Sequence, residues 1–199
     1  MVERLILASA SAARRAMLEA AGLTIEAVPA AIDEAAIKAG LTAEGAPARD
    51  IADKLAELKA AKIARRHPGR LVLGADQILV LDATLFDKPE SRAAARTQLQ
   101  ALRGQTHRLL SAAVIIRDGE TLMRHVDEAR LTMRVFSDAF LERYLDAEGE
   151  LVLSSVGAYR LEGLGAQLFA RVQGDYFTIL GLPLFATLDT LRRHGFCMT

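Results

Sequence analysis

Apolar residues along this chain fall by turns into short unbroken runs and into stripes spaced for a helix. Residues 4–8 read as a strand. A helix follows behind Ser11, a plausible N-cap, with Met17, Leu18 and Ala21 on one face and Gly22 as its stop. Residues 25–29 make a second short strand. Asp33-Glu34 then start either a helical turn or a loop that runs through Gly40, Gly45 and Pro47. A long helix spans about 47–67, with Ile51, Leu55 and Leu58 as its buried stripe. Residues 90–103 form a helix with Ala95, Leu99 and Leu102 inward, stopped by Gly104. Residues 109–116 and 121–136 pair around Asp118-Gly119, and Leu131, Met133 and Val135 alternate with Thr132 and Arg134. Ser137 caps a helix to Ala147 with Phe140, Leu141, Tyr144 and Leu145 inward. Residues 152–159 read as a strand, 162–165 as a loop and 168–172 as a short apolar segment. The last helix starts at Gly181-Leu182-Pro183, buries Leu184, Leu188 and Leu191, and stops at Gly195. The pattern is α/β. Hairpins at 71–89 and 109–136 argue for a mixed sheet rather than a purely parallel one.

The most informative stretch is 71–89. Two apolar runs, Leu71-Val72-Leu73 and Ile78 to Leu81, flank Gly74-Ala75-Asp76-Gln77. A carboxylate and an amide inside a buried strand are costly unless partnered. Gly74 marks a bulge or a close approach. Asp82-Ala83-Thr84 is a turn, and Asp87-Lys88-Pro89 ends the unit. Asp76 reads either as a turn former between two strands or as a catalytic or metal-binding carboxylate, with Lys88 returned towards it by the hairpin.

Composition narrows the class. With 199 residues, 51% hydrophobic and 25% charged, the chain can build a full core as one domain over 1–199 or as two small lobes. Lys plus Arg and Asp plus Glu number 25 each, so net charge is zero. A nucleic-acid binder normally carries a basic excess, so none is expected as a partner. Absence of tryptophan and 5% aromatics disfavour a base-stacking platform. The single Cys197 allows no internal disulfide, which makes the cytoplasm the default expectation. No apolar run is long enough for a signal-peptide core or a membrane span. The four histidines, at 67, 107, 125 and 194, show no metal-ligand spacing.

Other candidate chemistry is weaker. A strand, a small-residue loop (Ser9 to Ala13) and a helix start leave backbone N–H groups that suit a phosphate, with Arg14 and Arg15 adding charge. An ordinary capped helix with solvated arginines explains the same residues. Lys59 falls on the flank of the long helix's stripe and Lys62 nearer its centre, so periodicity alone does not select Lys59.

Four stretches in register resemble the Maf family of nucleoside triphosphate pyrophosphatases: LILASASAARR, LAELKAAKIA, LVLGADQILVLDATLFDKP and GAYRLEGLGAQLFARVQGDYFTILGLPL. Together they span nearly the whole chain. The resemblance implies an α/β fold, Maf/inosine-triphosphatase-like, with an elongated mixed sheet flanked by helices and two lobes around a central cleft. It implies hydrolysis of a nucleoside triphosphate to the monophosphate and pyrophosphate, a house-cleaning reaction assisted by Mg²⁺ or Mn²⁺. Asp76 matches the family's general base. Ser9, Arg14, Glu34, Lys59 and Lys88 match the polar residues lining the pocket, with Glu34 and Asp76 as metal-holding carboxylates. A homodimer is a further implication.

Departures bear on the base. The family's Ser-x-Ser-Pro-Arg-Arg reads here Ser-Ala-Ser-Ala-Ala-Arg, so Ala13 replaces an arginine. Gly-Ala-Asp-Thr becomes Gly-Ala-Asp-Gln, with Gln77. A Lys-Ala-Gly becomes Ser155-Val156-Gly157, and a glutamine before the last glycine loop becomes Glu162. Gln77 with Glu162-Gly-x-Gly resembles the branch acting on 7-methyl-GTP rather than on dTTP and UTP. That branch usually carries a large aromatic where Ala13 stands, and an alanine cannot stack on a base. Ala13, Gln77 and Glu162 are therefore the specificity candidates. Two other readings stay open: a dTTP/UTP pyrophosphatase of the same family, and a non-catalytic nucleotide-binding regulator of cell division.

Overall fold

A computed structural model describes residues 4–197. In chain order the elements are β1 (Leu5–Leu7), α1 (Ala12–Ala20), β2 (Ile25–Ala27), α2 (Glu34–Ala43), α3 (Ala48–Ala64), β3 (Val72–Leu81), β4 (Thr84–Phe86), α4 (Arg92–Leu102), β5 (Thr106–Arg117), β6 (Glu120–Met133), α5 (Asp138–Glu148), β7 (Phe169–Gln173), α6 (Tyr176–Ile179) and α7 (Leu184–Arg193). Among the described residues the strands neighbour one another in the order β2-β1-β3-β5-β6-β7, with β4 on β3. β1 is parallel to β2 and to β3, whereas β3/β4 and β6/β7 are antiparallel. The α/β class and the mixed sheet are as the hydrophobic pattern predicts. Contacts divide the chain into two compact units.

The first unit holds the chain as far as Gln77, Ser111–Asp127, and the chain from Tyr176 onward. Leu5, Ile6 and Leu7 are fully buried, as a parallel strand covered on both faces requires. Leu5, Leu7, Met17, Leu18, Leu73 and Leu191 belong to one core cluster. Ser11 Oγ accepts from the Arg14 backbone N–H at 3.3 Å, which caps α1. Ala21, expected inward, is exposed because it is the C-cap beyond the last helical turn. Asp118 and Gly119 both have positive φ (50° and 83°), as a two-residue hairpin turn between β5 and β6 demands.

Two features of this unit correct the sequence reading. Residues 34–43 are helix, not a loop around Gly40. The Asp33 carboxylate accepts from the Ala36 backbone N–H at 2.9 Å, and the cap plus an alanine-rich run outweigh one glycine, which costs about 1 kcal/mol. The buried face of α3 is also rotated from the expected stripe. It consists of Ile51, Ala52, Leu55, Ala56, Lys59, Ala60, Ile63 and Ala64, while Leu58 and Lys62 are only half-buried. Alanines, not large side chains, form much of that face. The cause is Gly74 on β3: a Cβ there would lie 2.2 Å from Ala56 O and 2.7 Å from Ala60 N. Helix and strand touch backbone to backbone.

The second unit comprises Ile78–Leu110 and Glu128–Asp175. The β3/β4 hairpin pairs Leu79 with Phe86 and Leu81 with Thr84 around Asp82. Ser91 and Ser137 cap α4 and α5, accepting from Ala94 and Phe140 N–H at 3.2 Å each. Ala95, Leu99 and Leu102 are fully buried, and Leu141, Tyr144 and Leu145 are buried as expected; Phe140 is half-buried under the Arg134 guanidinium, 4.2 Å from the ring centre. Val135, expected inward, is 82% exposed because β6 ends at Met133. The strand expected over 152–159 is two 3₁₀ turns, Gly149–Leu153 and Val156–Ala158. Gly157 and Ala158 have φ of 80° and 59°, which no strand accommodates. A third 3₁₀ turn, Leu164–Leu168, follows the expected loop.

His107 lies fully buried in this unit, its Nε2 2.7 Å from Tyr159 Oη and its Nδ1 without a hydrogen-bond partner among the described residues. Burial lowers its pKa from 6.5 to about 4.

Two outcomes are expected from the packing. Gly74→Ala should destabilise by about 1–3 kcal/mol or more in urea unfolding, because backbone atoms cannot yield to the new methyl. Gly40→Ala, exposed in α2 with nothing within 4 Å, should instead stabilise by up to about 1 kcal/mol. Equal effects would show that the close approach is not limiting. The second outcome concerns pH. Between 6.5 and about 4 the unfolded chain takes up a proton at residue 107 that the folded chain refuses. Stability should therefore fall across that window as pH falls, by about 3 kcal/mol from this residue alone. His107→Asn should flatten the profile there, as measured by unfolding midpoints at pH 7, 5.5 and 4.5.

Candidate active site

Along a strand, residues two apart share a face, so Gly74 and Asp76 both point to the side on which α3 lies. The missing side chain at 74 brings α3 close enough for Lys59 to reach Asp76. Lys59 Nζ stands 2.7 Å from Asp76 Oδ1 and 2.8 Å from Glu34 Oε2. Lys59 is 7% exposed and Asp76 6%, whereas Glu34 is exposed. Glu34 reaches the ammonium because Asp33 starts α2 at that point, and because Lys62 Nζ donates to Ala31 O in the segment before it. The residue that periodicity placed on the flank of α3 is thus buried at its centre. Lys62 braces the neighbouring loop.

Arg14 enters from the first turns of α1. Its Nη1 donates to Ala75 O at 3.0 Å and to Ser9 Oγ at 3.2 Å, and its Nε donates to Gly181 O at 2.8 Å. Ser9 Oγ also accepts from the Ser11 N–H at 3.2 Å, which fixes the loop ahead of the helix. Ser9, Arg14, Glu34, Lys59 and Asp76 are therefore joined within one unit. Burial raises the Asp76 pKa above its ordinary value, against the pull of Lys59 and Arg14. Burial likewise works against the Arg14 charge, which Asp76 and Glu34 support.

Gln77 faces away from that pair. Its Nε2 donates to Ser111 Oγ at 3.0 Å and to the carbonyls of Thr178 (3.1 Å) and Ile179 (3.0 Å), while Ser111 Oγ donates to Thr178 O at 2.7 Å. Ser111, fully buried, was not among the expected site residues. Its one signal is a hydroxyl in the apolar run 109–116. Ala13 is half-buried on the first turn of α1 and brings no polar atom. Lys88, two residues past β4, and Glu162, exposed between Arg160 and the 3₁₀ turn at Leu164–Leu168, belong to the second unit.

Among the described residues no group of three or more His, Cys, Asp or Glu side chains could hold a metal ion. Glu34 and Asp76 share Lys59 instead. Two carboxylates fall short of the roughly six oxygens a hard divalent cation takes, but they fit one that arrives with phosphate oxygens and water.

The α/β fold thus buries a carboxylate with raised pKa beside a lysine and an arginine, close to a helix start. The comparisons with known proteins narrow this. A family model described as Maf-like protein matches residues 4–194, and the chain belongs to that family. It is 55% identical to a nucleoside triphosphate pyrophosphatase of Paramagnetospirillum magneticum, over 96% of this chain and 98% of the relative. Another nucleoside triphosphate pyrophosphatase, of Caulobacter vibrioides, is 54% identical over 95% and 94%. A 7-methyl-GTP pyrophosphatase of Mesorhizobium japonicum is 51% identical over 98% of each chain. No helix among the described residues is long and apolar enough to cross a membrane.

The raised Asp76 pKa has a consequence for stability. A carboxyl whose folded pKa lies above its unfolded value weakens the fold as pH rises and the group ionises. The ionised form of Asp76 is thus a net cost to the fold, Lys59 notwithstanding. Asp76→Asn is expected to raise Tm by a few degrees in a thermal melt. A lower Tm would mean that the ion pair outweighs its desolvation.

Proposed function

We propose that this Maf-family nucleoside triphosphate pyrophosphatase cleaves between the α- and β-phosphoryl groups of a purine triphosphate, with Asp76 as general base and 7-methyl-GTP as the favoured substrate. The observation that carries the reaction is the buried Asp76 carboxylate held 2.7 Å from Lys59 with its pKa raised. Oδ1 takes Lys59; a carboxylate has lone pairs to spare for a water O–H. A base whose pKa is moved towards neutrality removes a proton from that water more effectively than an ordinary aspartate does. Water adds to phosphorus, its proton passes to Asp76, and pyrophosphate leaves.

Lys59 and Arg14 set two fixed positive charges beside the base, and Lys88 is assigned as a third contact for the triphosphate. Ser9 orients Arg14. A divalent cation, Mg²⁺ or Mn²⁺, would be held by Glu34 and Asp76 together with phosphate oxygens. When bound it neutralises charge on the departing pyrophosphate. A turnover role explains a buried carboxylate with raised pKa better than a pure binding role does, because nucleotide binding alone needs no base.

For the base, the exposed carboxylate of Glu162 suits a purine that presents N–H donors, or a ring made cationic by methylation. One of the half-identical relatives carries the 7-methyl-GTP name, which favours the same substrate. Gln77 acts indirectly in this reading. Its amide is spent on the 178–179 backbone, so it shapes the segment that leads to Gly181 and Arg14 rather than reading the base itself. Ala13 leaves room where a bulky side chain would stand.

Pyrophosphate release with Mg²⁺ from 7-methyl-GTP, GTP, dTTP, UTP and CTP tests both parts. Wild type should prefer 7-methyl-GTP, and Asp76→Asn should lose roughly 10²–10⁴-fold in kcat. The acid limb of kcat/KM should sit above 3.8, the ordinary value for the carboxyl. Full activity in Asp76→Asn would remove the base assignment. A preference for dTTP or UTP would move the substrate to the other branch.

A further inference from the structure

The second unit contains a buried acid that the reaction does not use. Glu148, at the end of α5, has a side chain only 3% exposed and carries a charge. Such a group is kept only where it is paired. Its partner is Arg160, whose Nε and Nη2 donate to Glu148 Oε2 at 3.1 and 3.0 Å. Arg160 opens the turn that carries Glu162.

The turn is built around this pair. The Gly163 N–H donates to Arg160 O at 3.2 Å, which closes it. A Cβ at Gly163 would meet Arg160 Nη2 at 3.3 Å and Glu148 Oε1 at 3.5 Å, so the glycine lets the chain pass over the ion pair. A Cβ at Gly165 would lie 2.4 Å from Arg160 O and 2.8 Å from its N, so the far end of the turn is pressed onto the residue that starts it. Upstream, Tyr144 Oη donates to Ala158 O at 3.1 Å, Ser155 Oγ donates to Tyr159 O at 2.5 Å, and Tyr159 is locked to His107. Three of these hydrogen bonds hold backbone carbonyls at residues 158, 159 and 160 and the others pin side chains there, yet Glu162 itself is exposed. A rigid frame around an exposed carboxylate is what recognition of a flat, polar ligand edge requires.

We propose that the Glu148–Arg160 ion pair is a specificity-positioning device: it holds the Glu162 carboxylate where it discriminates between nucleobases, without touching substrate. This rests on the reading above that Glu162 faces the base. The pair is distinct from Arg14, Lys59 and Asp76, which sit in the other unit, while Lys88 shares the pair's own unit. Loosening it should therefore change which base is preferred and leave the handling of the phosphate chain alone.

The test compares wild type, Glu148→Gln, Arg160→Lys, Arg160→Met and Glu162→Gln. It measures kcat and KM for 7-methyl-GTP, GTP and UTP, and inhibition by inorganic tripolyphosphate, which has no base. Glu148→Gln and Arg160→Met should cut the preference for the favoured base by about tenfold or more, through KM, with kcat within about threefold. Arg160→Lys should recover part of it, since the charge returns without the two-pronged geometry. Tripolyphosphate inhibition should not move, which a general loosening of the fold would not spare. If Glu162→Gln abolishes the preference while the Glu148 and Arg160 variants keep it, the positioning role is overturned and the reading of Glu162 stands. If Glu162→Gln keeps the preference, both fall. Should Glu148→Gln fail to fold, the half-buried Arg160 variants carry the same comparison.

Discussion

The contact that the first unit depends on is the one between Gly74 and the backbone of α3. A β-strand and a helix ordinarily stand apart by the thickness of their side chains. Here Ala56 and Ala60 on one side and no side chain on the other bring the two backbones together. Lys59 lies between those alanines in sequence, and Asp76 is the next residue on the same face of β3. The ammonium therefore meets the carboxylate at 2.7 Å in a place from which water is largely removed. An ion pair there does little for stability, since desolvation of both charges offsets their attraction. Its value is chemical: the pair fixes the orientation of a carboxylate whose pKa burial has raised, and presents a cation beside it.

The same contact explains what the sequence showed and what it hid. Elements marked by their ends were legible: Ser11 and Ser137 cap the helices they were expected to cap, and Gly22 and Gly104 stop theirs at positive φ. Gly74 was legible as a close approach, though not as an approach to a helix. Lys59 was misplaced because a stripe drawn through Ile51, Leu55 and Leu58 gives no weight to alanine, and on α3 alanines mark the most intimate contact. Adding the small residues 52, 56, 60 and 64 to the stripe of Ile51, Leu55 and Leu58 puts Lys59 near the centre of the combined face.

Errors elsewhere share a different origin. Residues 152–159 have strand-like composition, but composition does not report φ, and Gly157-Ala158 turn the chain through the left-handed region twice in succession. Val135 continues the alternation of β6 in sequence after the strand has ended in space. Gly40 suggested a loop, but the Asp33 cap adds to the helix propensity of the alanines around it. Each is a case where one local cue was read alone and a second, non-local constraint decided the outcome. The family resemblance singled out Asp76 and Lys59 together, by their neighbours in sequence and not by burial, and the two side chains are paired in the structure.

Buried polar groups in the two units follow one rule with different results. His107 is neutral near pH 7, because burial takes its pKa to about 4, and one ring nitrogen lacks a partner. Two arrangements are available. Tyr159 can donate to Nε2, which leaves the Nδ1 N–H without an acceptor among the described residues. Or Nε2–H can donate to Tyr159 Oη, which leaves the Tyr159 O–H and the Nδ1 lone pair unmet. Either way one buried donor goes without an acceptor. Tyr159 keeps its own proton, as burial dictates by pushing its pKa well up. That pair is neutral and its cost is one unmet donor. The Lys59–Asp76 pair is charged, and its cost is desolvation of two ions. A neutral pair suffices to hold side chains in place; a charged one costs more, and it suits the proposed role of Asp76, in which a proton is accepted and anionic oxygens are met.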